Sequence, residues 1–111
     1  MIFRYKFEIM ILYNITYNID KEIDNEWVNW LRDYYLPEVM GGGQFVQYKV
    51  YRLLKTEDDG SINYALQFFC ESIESLNDFL QNRAPALSQQ LMEKFRHRHV
   101  AFMTVLQDTG L

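Results

Sequence analysis

Amide and hydroxyl side chains at alternate positions of two stretches are the first residues that could do chemistry. Asn14 and Thr16 alternate with apolar residues in ILYNITYNI, and Gln67 does the same in INYALQFFC. Every second residue of a strand points to the same face of its sheet. Such groups could orient a small molecule through hydrogen bonds. Alternatively, they pair with one another or with water inside an interface, since buried polar groups need partners.

The two histidines could ligate a metal only with further help. His97 and His99 would lie on one side of an extended segment, and Glu93 and Asp108 are the only nearby carboxylates. No ligand spacing typical of zinc or iron is present. We therefore predict no metal site and no cofactor, and we interpret the basic cluster 94–99 as a solvated turn.

A single cysteine and a run of three glycines have simple structural interpretations. Cys70 is the only cysteine, so it forms no disulfide within the chain, and it falls among apolar residues where it acts as a small hydrophobe. The glycines at 41–43 follow a predicted helix and precede a predicted strand. A phosphate-binding loop has the opposite order, so we predict that these glycines end the helix.

Composition limits the class of protein. The chain has 111 residues, 49% of them hydrophobic, and a net charge of -4. This length predicts one domain with a packed core. The acidic balance argues against nucleic-acid binding, and the apolar runs are too short to cross a membrane. Without a signal peptide, the expected location is the cytoplasm.

Periodicity predicts four strands and two helical regions. The predicted strands are Ile9–Ile19, Phe45–Leu54, Ile62–Glu71 and Val100–Leu106. Asp20 is the predicted N-cap of the first helix, which reaches about Tyr35 before Pro37 interrupts it. Ser72 is the predicted N-cap of the second helix, and Pro85 begins a further helical segment.

The order strand, helix, strand, strand, helix, strand predicts a ferredoxin-like α+β fold. Its four-stranded antiparallel sheet carries both helices on one face. Residues 10–107 form this single domain, 1–9 form an extension or the start of the first strand, and 108–111 form a tail. The helix-free face is rich in apolar residues, which predicts a homodimer joined through that face. The candidate interface residues are Leu12, Phe69 and Met103.

Several segments together resemble a small bacterial family of unknown function. The resemblance rests on ILYNITYNID, EWVNWL, LPEVM, YALQFFCES, APAL and HVAFMTVL, which span nearly the whole chain. That family is similar in architecture to dimeric α+β-barrel proteins, including antibiotic-biosynthesis-type monooxygenases and stress-response proteins. The resemblance implies a dimeric barrel and, through the monooxygenases, a pocket in which polar groups orient a substrate.

Two functions remain open at this stage. The first is a homodimeric small-molecule-binding or structural protein, because apolar patterning is complete and no catalytic motif stands out. The alternative is a cofactor-independent monooxygenase or isomerase acting on a hydrophobic aromatic metabolite. The candidate residues of the ligand pocket are Asn14, Thr16, Gln67, Trp27 and Tyr64.

Overall fold

The computed structural model describes residues 10–55, 57–96 and 98–111. The strands are β1 (Ile11–Asp20), β2 (Gln47–Arg52), β3 (Ser61–Cys70) and β4 (His99–Gln107). The first helical region contains a 3₁₀ turn (Lys21–Ile23), α1 (Asp24–Trp30), a π turn (Leu31–Tyr35) and α2 (Leu36–Gly41). The second region contains α3 (Ile73–Asn82) and α4 (Ala84–Phe95).

The four strands form one antiparallel sheet in the order β2-β3-β1-β4. This order is that of the ferredoxin-like fold, so the predicted fold class is confirmed. The register places Asn14 of β1 between Gln67 of β3 and Thr104 of β4. Residues at the same level of the four strands therefore form rows across the sheet, and the register determines which face each side chain occupies.

The core lies between the two central strands and the helices. Every second residue of β1 from Ile11 to Ile19 is buried, and so is every second residue of β3 from Ile62 to Cys70. The apolar residues of these two strands all point towards the helices, because they occur at every second position and successive side chains of a strand point to opposite faces. Cys70 is fully buried, and this burial raises the pKa of its thiol, in agreement with its predicted role as a small hydrophobe.

Both predicted N-caps are confirmed. A carboxylate oxygen of Asp20 accepts a hydrogen bond from the backbone N–H of Glu22 at 2.9 Å. The Ser72 hydroxyl accepts one from the backbone N–H of Ser75 at 3.1 Å. Each side chain satisfies an N–H that has no partner inside its helix, so the ends of β1 and β3 become the starts of helices.

The predicted interruption near Pro37 takes the form of a π turn just before the proline and is not the end of the helical region. The chain stays helical through Pro37, because a π turn precedes it and the backbone N–H of Leu36 donates to the carbonyl of Leu31, five residues earlier. A proline ring collides with the carbonyl four residues before it in a regular helix. The wider turn relieves that conflict and carries the helix on to Gly41.

The second strand is shorter than predicted. It begins at Gln47 rather than Phe45 and ends at Arg52 rather than Leu54. Phe45 is 4% exposed and packs against Phe68 and Phe79, so it belongs to the core beneath the helices. Gly43 just before it has φ = +78°, a conformation that favours glycine. The helix ends at this glycine run, as predicted.

Candidate functional site

The sheet has a helix-free face, which includes three of the predicted pocket residues. Alternation and register assign its members: Leu12, Asn14, Thr16, Asn18, Gln47, Lys49, Tyr51, Asn63, Ala65, Gln67, Phe69, Val100, Phe102, Thr104 and Leu106. Asn14, Thr16 and Gln67 are half-buried there. Trp27 and Tyr64, the other two candidates, lie on the helical side. The five residues therefore cannot line one pocket within a single chain.

A polar row crosses the middle of the helix-free face. Lys49, Gln67, Asn14 and Thr104 occupy successive strands at the same level of the sheet. The amide of Asn14 donates to the Thr16 hydroxyl at 3.4 Å rather than to Gln67. The expectation that Asn14 and Gln67 are cross-strand neighbours is confirmed by their register.

A second polar pair on this face is complete within the chain. The amide of Asn18 donates to the side-chain oxygen of Asn63 at 2.5 Å and also lies 3.1 Å from the Ser61 hydroxyl. Cross-strand pairs of this kind stabilise a sheet. The amides of Asn18 and Asn63 therefore pair with each other, which is the structural alternative to ligand binding that the sequence left open.

Trp27 and Tyr64 form part of the packed core. Their rings stack at 5.1 Å, and Trp27 meets Tyr17 edge-on at 5.4 Å. The Tyr64 hydroxyl donates to a carboxylate oxygen of Asp24 at 2.6 Å. Burial and this bond raise the pKa of Tyr64 to about 12. The two rings support the pocket described next from behind and do not line it.

The opposite face of the sheet contains a cavity of about 150 Å³ between β1, β4 and the helices. We call it the tyrosine cleft. Its lining residues are Tyr13, Ile15, Tyr17, Tyr35, Phe79, Ala84, Leu87, Ser88, Leu91, Met92, His99, Ala101 and Met103. Most of these side chains are apolar, and the polar ones are few. A concave apolar site with a few convergent polar groups is typical of small-molecule pockets.

Tyr13 and Met103 form one end of the tyrosine cleft. The Tyr13 hydroxyl donates to the thioether sulfur of Met103 at 2.9 Å. Sulfur is a weak acceptor and the methionine side chain is flexible. Met103 is 65% exposed, so the cleft reaches solvent beside it. This position corrects the assignment of Met103 to the dimer interface, because the residue lies on the helical side of β4.

Tyr17, Tyr35 and His99 form the polar part of the other end. Tyr17 and Tyr35 lie close enough that each shifts the pKa of the other. The His99 ring lies 6.2 Å from the Tyr17 ring. Among the residues that the structure describes, none bonds to Nδ1 of His99, although this atom is buried. His99 therefore belongs to a cavity wall, and the interpretation of its segment as a solvated turn is wrong at this position. His97 lies outside the described residues.

Burial keeps these polar groups uncharged near neutral pH. It raises the pKa of both Tyr13 and Tyr17 to about 12, and it raises the pKa of Tyr35 well above its usual value. Burial also lowers the pKa of His99. Desolvation disfavours the charged form in each case. The tyrosine cleft thus presents neutral hydroxyls and a neutral imidazole.

A larger concavity, of about 360 Å³, lies beside the β2–β3 hairpin. Several of its charged groups already bond to neighbours: Lys21 to Asp58 at 2.7 Å, and Lys55 to Asp59 at 3.0 Å. These pairs hold the turn in which Gly60 has φ = +81°. They stabilise the turn of the hairpin, so Lys21 and Lys55 already have partners within the chain.

The described residues contain neither a metal-binding cluster nor a membrane-spanning helix. No group of three or more histidine, cysteine or acidic side chains is arranged to hold a metal ion within the described ranges. In the same part of the chain, no helix combines the length and the apolar character needed to cross a membrane.

The sequence missed the tyrosine cleft, although its signal was present. Tyr13 and Tyr17 share the apolar face of β1, where both are interpreted as core residues. His99 lies only four residues from Met103, so both point to the same side of β4. The missing information was the width of the gap between β4 and α4, which depends on helix placement.

The four-stranded sheet and its helices define a ferredoxin-like α+β protein, with the tyrosine cleft on the helical side of the sheet. The profile of a family described as "Domain of unknown function (DUF4286)" matches residues 10–109. This match covers most of the chain, so the protein belongs to that family. A comparison with curated proteins finds no significant match.

Solved structures with the same fold are similar at low sequence identity. A conserved protein from Methanosarcina mazei Go1 has a TM-score of 0.70 at 13% identity, covering 94% of this chain and 97% of that one. A candidate antibiotic biosynthesis monooxygenase from Bacillus cereus has a TM-score of 0.61 at 14% identity, covering 89% and 92%. A dimeric ferredoxin-like protein from an uncultured marine organism has 0.58 at 9%, covering 90% and 95%. These likenesses show the fold alone.

Proposed function

We propose that this protein is a homodimer that binds a small, partly aromatic molecule in the tyrosine cleft of each chain. The observation that carries the proposal is the tyrosine cleft itself, a concavity of about 150 Å³ whose lining is mostly apolar with a few polar groups. Such a lining is typical of small-molecule sites. A small molecule in the cleft would cover the apolar side chains that line it.

The composition of the cleft supports an aromatic ligand. Aromatic rings from β1 and the helices, among them Tyr13, Tyr17 and Phe79, line it together with aliphatic side chains. Ring pairs are favourable in offset or edge-on geometry. Around the cleft, Tyr13 and Phe79 form a tilted pair, and Tyr17 and Trp27 form an edge-on pair. An inserted ring would extend this arrangement.

The helix-free face supports the homodimer. Leu12 and Phe69 are paired across β1 and β3 and lie beside Leu106, while Phe102 is 66% exposed. An apolar patch of this extent needs cover. A second copy is a suitable occupant, because Lys49 is the one charged side chain in the described central rows of this face, while Asp20 lies at its end. The dimeric state of one structural neighbour agrees with this proposal.

Catalysis is less well supported than binding. A cofactor-independent monooxygenase or isomerase of the predicted kind needs a group that takes a proton from its substrate. His99 is the candidate in the cleft, but burial lowers its pKa. Among the described lining residues no carboxylate is present to stabilise an imidazolium. The same neutral environment favours retention of an uncharged ligand.

Filling the cleft tests the ligand site. Ala101 lines the cleft on β4, so Ala101→Leu should place a larger side chain in the cavity and abolish binding of indole, measured by ligand-observed NMR. Ala86→Leu, at an exposed position of α4, is the matched control and should bind indole as the wild type does. Indole binding that survives in Ala101→Leu would place the site elsewhere, and no binding of indole or any single-ring compound would refute the proposal.

Charges on the helix-free face test the dimer. Phe102→Glu and Phe69→Glu would bury an unpaired carboxylate at the interface, which is strongly unfavourable. Both variants should be monomeric by light scattering at micromolar concentration. Ile73→Glu, at an exposed apolar position outside this face, should remain dimeric. A wild-type protein that is monomeric under these conditions would refute the proposed assembly.

A further inference from the structure

The wall of the tyrosine cleft contains a hydrogen-bond donor that is held in place by packing. The Tyr13 ring packs against Phe45 and Phe79, with ring centroids 6.2 and 6.1 Å away. These contacts fix the position of the hydroxyl oxygen at the end of the ring. Burial raises the pKa of Tyr13 to about 12, so the hydroxyl keeps its proton at neutral pH. Tyr13 therefore presents an O–H group in one defined place.

The present acceptor of this hydrogen bond is a poor one. The Tyr13 hydroxyl donates to Sδ of Met103 at 2.9 Å. A thioether sulfur is a weak acceptor, whereas a carbonyl oxygen has two lone pairs and accepts strongly. Exchange of the sulfur for a carbonyl oxygen would therefore strengthen the bond that Tyr13 makes.

Met103 can leave this position at low cost. Its side chain is 65% exposed, so little apolar contact is lost when it moves. Methionine is also unbranched and flexible. The cleft reaches solvent beside this residue, so a molecule that enters there meets the sulfur first. Its polar group can take the place of the sulfur next to the Tyr13 hydroxyl.

The rest of the lining determines what kind of molecule carries the acceptor. Apolar side chains of the helices, among them Phe79, Leu87 and Leu91, form most of the wall. Among the described lining residues there is no lysine, arginine, aspartate or glutamate. A carboxylate or phosphate would therefore lack a counter-charge, which makes its transfer into the cleft far more costly than that of a neutral group. The complementary ligand has an apolar body and an uncharged acceptor.

We infer that the tyrosine cleft takes an uncharged carbonyl compound whose oxygen displaces Sδ of Met103 and accepts the hydrogen bond of Tyr13. This inference rests on the proposed binding function and names the chemical class of its ligand. Met103 serves as the partner of Tyr13 in the free protein, and the ligand replaces it.

Two probes of the same shape test the inference. Acetophenone carries a carbonyl oxygen where isopropylbenzene carries a methyl group. Their dissociation constants, measured by ligand-observed NMR, give the ratio of acetophenone affinity to isopropylbenzene affinity for each protein variant. The same two free ligands are compared every time, so the difference in their hydration cancels between variants.

Two substitutions should change this ratio in opposite directions. Tyr13→Phe removes the donor and keeps the ring, so the ratio should fall at least about threefold, as expected for the loss of one neutral hydrogen bond. Met103→Leu removes the competing sulfur at similar volume, so the ratio should rise above the wild-type value. Circular dichroism checks the fold of both variants. Met103→Leu, at an exposed position, decides the question by itself if Tyr13→Phe does not fold.

An unchanged ratio in folded Tyr13→Phe would overturn the inference, and so would an unchanged or lower ratio in Met103→Leu. In these outcomes isopropylbenzene still binds, so the proposed binding function stands. If neither probe binds to the wild-type protein, the proposed function itself fails.

Discussion

Tyr17 and His99 face each other across two neighbouring strands, with their rings 6.2 Å apart and inclined at 54°. Tyr17 pairs with Ala101, and His99 pairs with Ile19, so the two rings lie diagonally on the helical side of the sheet. This relationship joins the only described histidine to the central strand. It also determines how the protein should respond to pH.

Stability should fall as the pH decreases from 7.5 to 5. Burial lowers the pKa of His99 in the folded protein, whereas the unfolded chain has a value near 6.5. The unfolded state therefore binds more protons below that pH, and the free energy of unfolding decreases. The groups facing His99 from β1 and the π turn are Tyr17 and Tyr35, which stay neutral throughout. Urea denaturation at several pH values measures the slope.

The control for this prediction is His99→Phe. It removes the titrating group, so its free energy of unfolding should vary less between pH 7.5 and 5. Asp20 and Asp59 also have lowered pKa values, owing to hydrogen bonds with backbone N–H groups and neighbouring side chains. Both titrate below this range. A variant with the wild-type slope would show that His99 is not the source.

The hydroxyls of Tyr17 and Tyr35 should be energetically coupled. If the two buried hydroxyls depend on each other, either single change to phenylalanine should cost about 1–3 kcal/mol, because it leaves the remaining hydroxyl beside an apolar ring. The double change removes both groups and should cost less than the sum of the two single changes. Chemical denaturation of the three variants gives the coupling free energy. Additive effects would mean that the two hydroxyls do not depend on each other.

Trp27 should contribute more to stability than Trp30. Trp27 is 0% exposed and packs against Tyr17 and Tyr64, so Trp27→Ala should cost about 3–5 kcal/mol. Trp30 is only partly buried, and Trp30→Ala should cost less. Trp27→Phe should be milder than Trp27→Ala, since the indole N–H has no partner among the described residues. The reverse order of the two alanine variants would contradict this packing.

The three adjacent glycines should respond differently to alanine. Gly41 ends α2 with open space around its Cα, so Gly41→Ala should stabilise the protein by about 0.5–1 kcal/mol. Gly43 has φ = +78°, and Gly43→Ala should cost about 1–2 kcal/mol. A side chain at Gly42 would meet those of Gln44 and Arg83, which must move. Thermal unfolding distinguishes these outcomes, and a uniform effect would contradict them.

The elements and their order could be predicted because local patterns determine them. Alternation in β1 and β3, with Asp20 and Ser72 at the strand ends, predicts the strands and helix starts without tertiary information. Which face each edge strand presents could not be predicted in this way. The side of Met103 depends on its pairing with Ile15, and a shift of one residue would have put it on the other face.

The candidate site was less predictable than the fold for a related reason. Trp27, Tyr64, Asn14 and Gln67 all lie on predicted elements, but the first two lie on the helical side of the sheet and the other two on its helix-free face. Tyrosines in an apolar stripe look the same in the sequence whether they fill a core or line a cavity. Only the spacing between α4 and β4 separates the two cases, and no local pattern encodes that spacing.

The π turn at Leu31–Tyr35 acts as a one-residue insertion in an otherwise regular helix. Each residue of an α-helix advances by about 100° around its axis, so one extra residue shifts the phase of everything that follows by roughly that angle. The helical segment beyond Trp30 is therefore rotated relative to an uninterrupted helix, and this rotation sets the direction of Tyr35. Removal of one residue from the turn would aim that tyrosine away from its partner on β1. The one extra residue in the π turn next to Pro37 thus places the Tyr35 side chain in the wall of the tyrosine cleft.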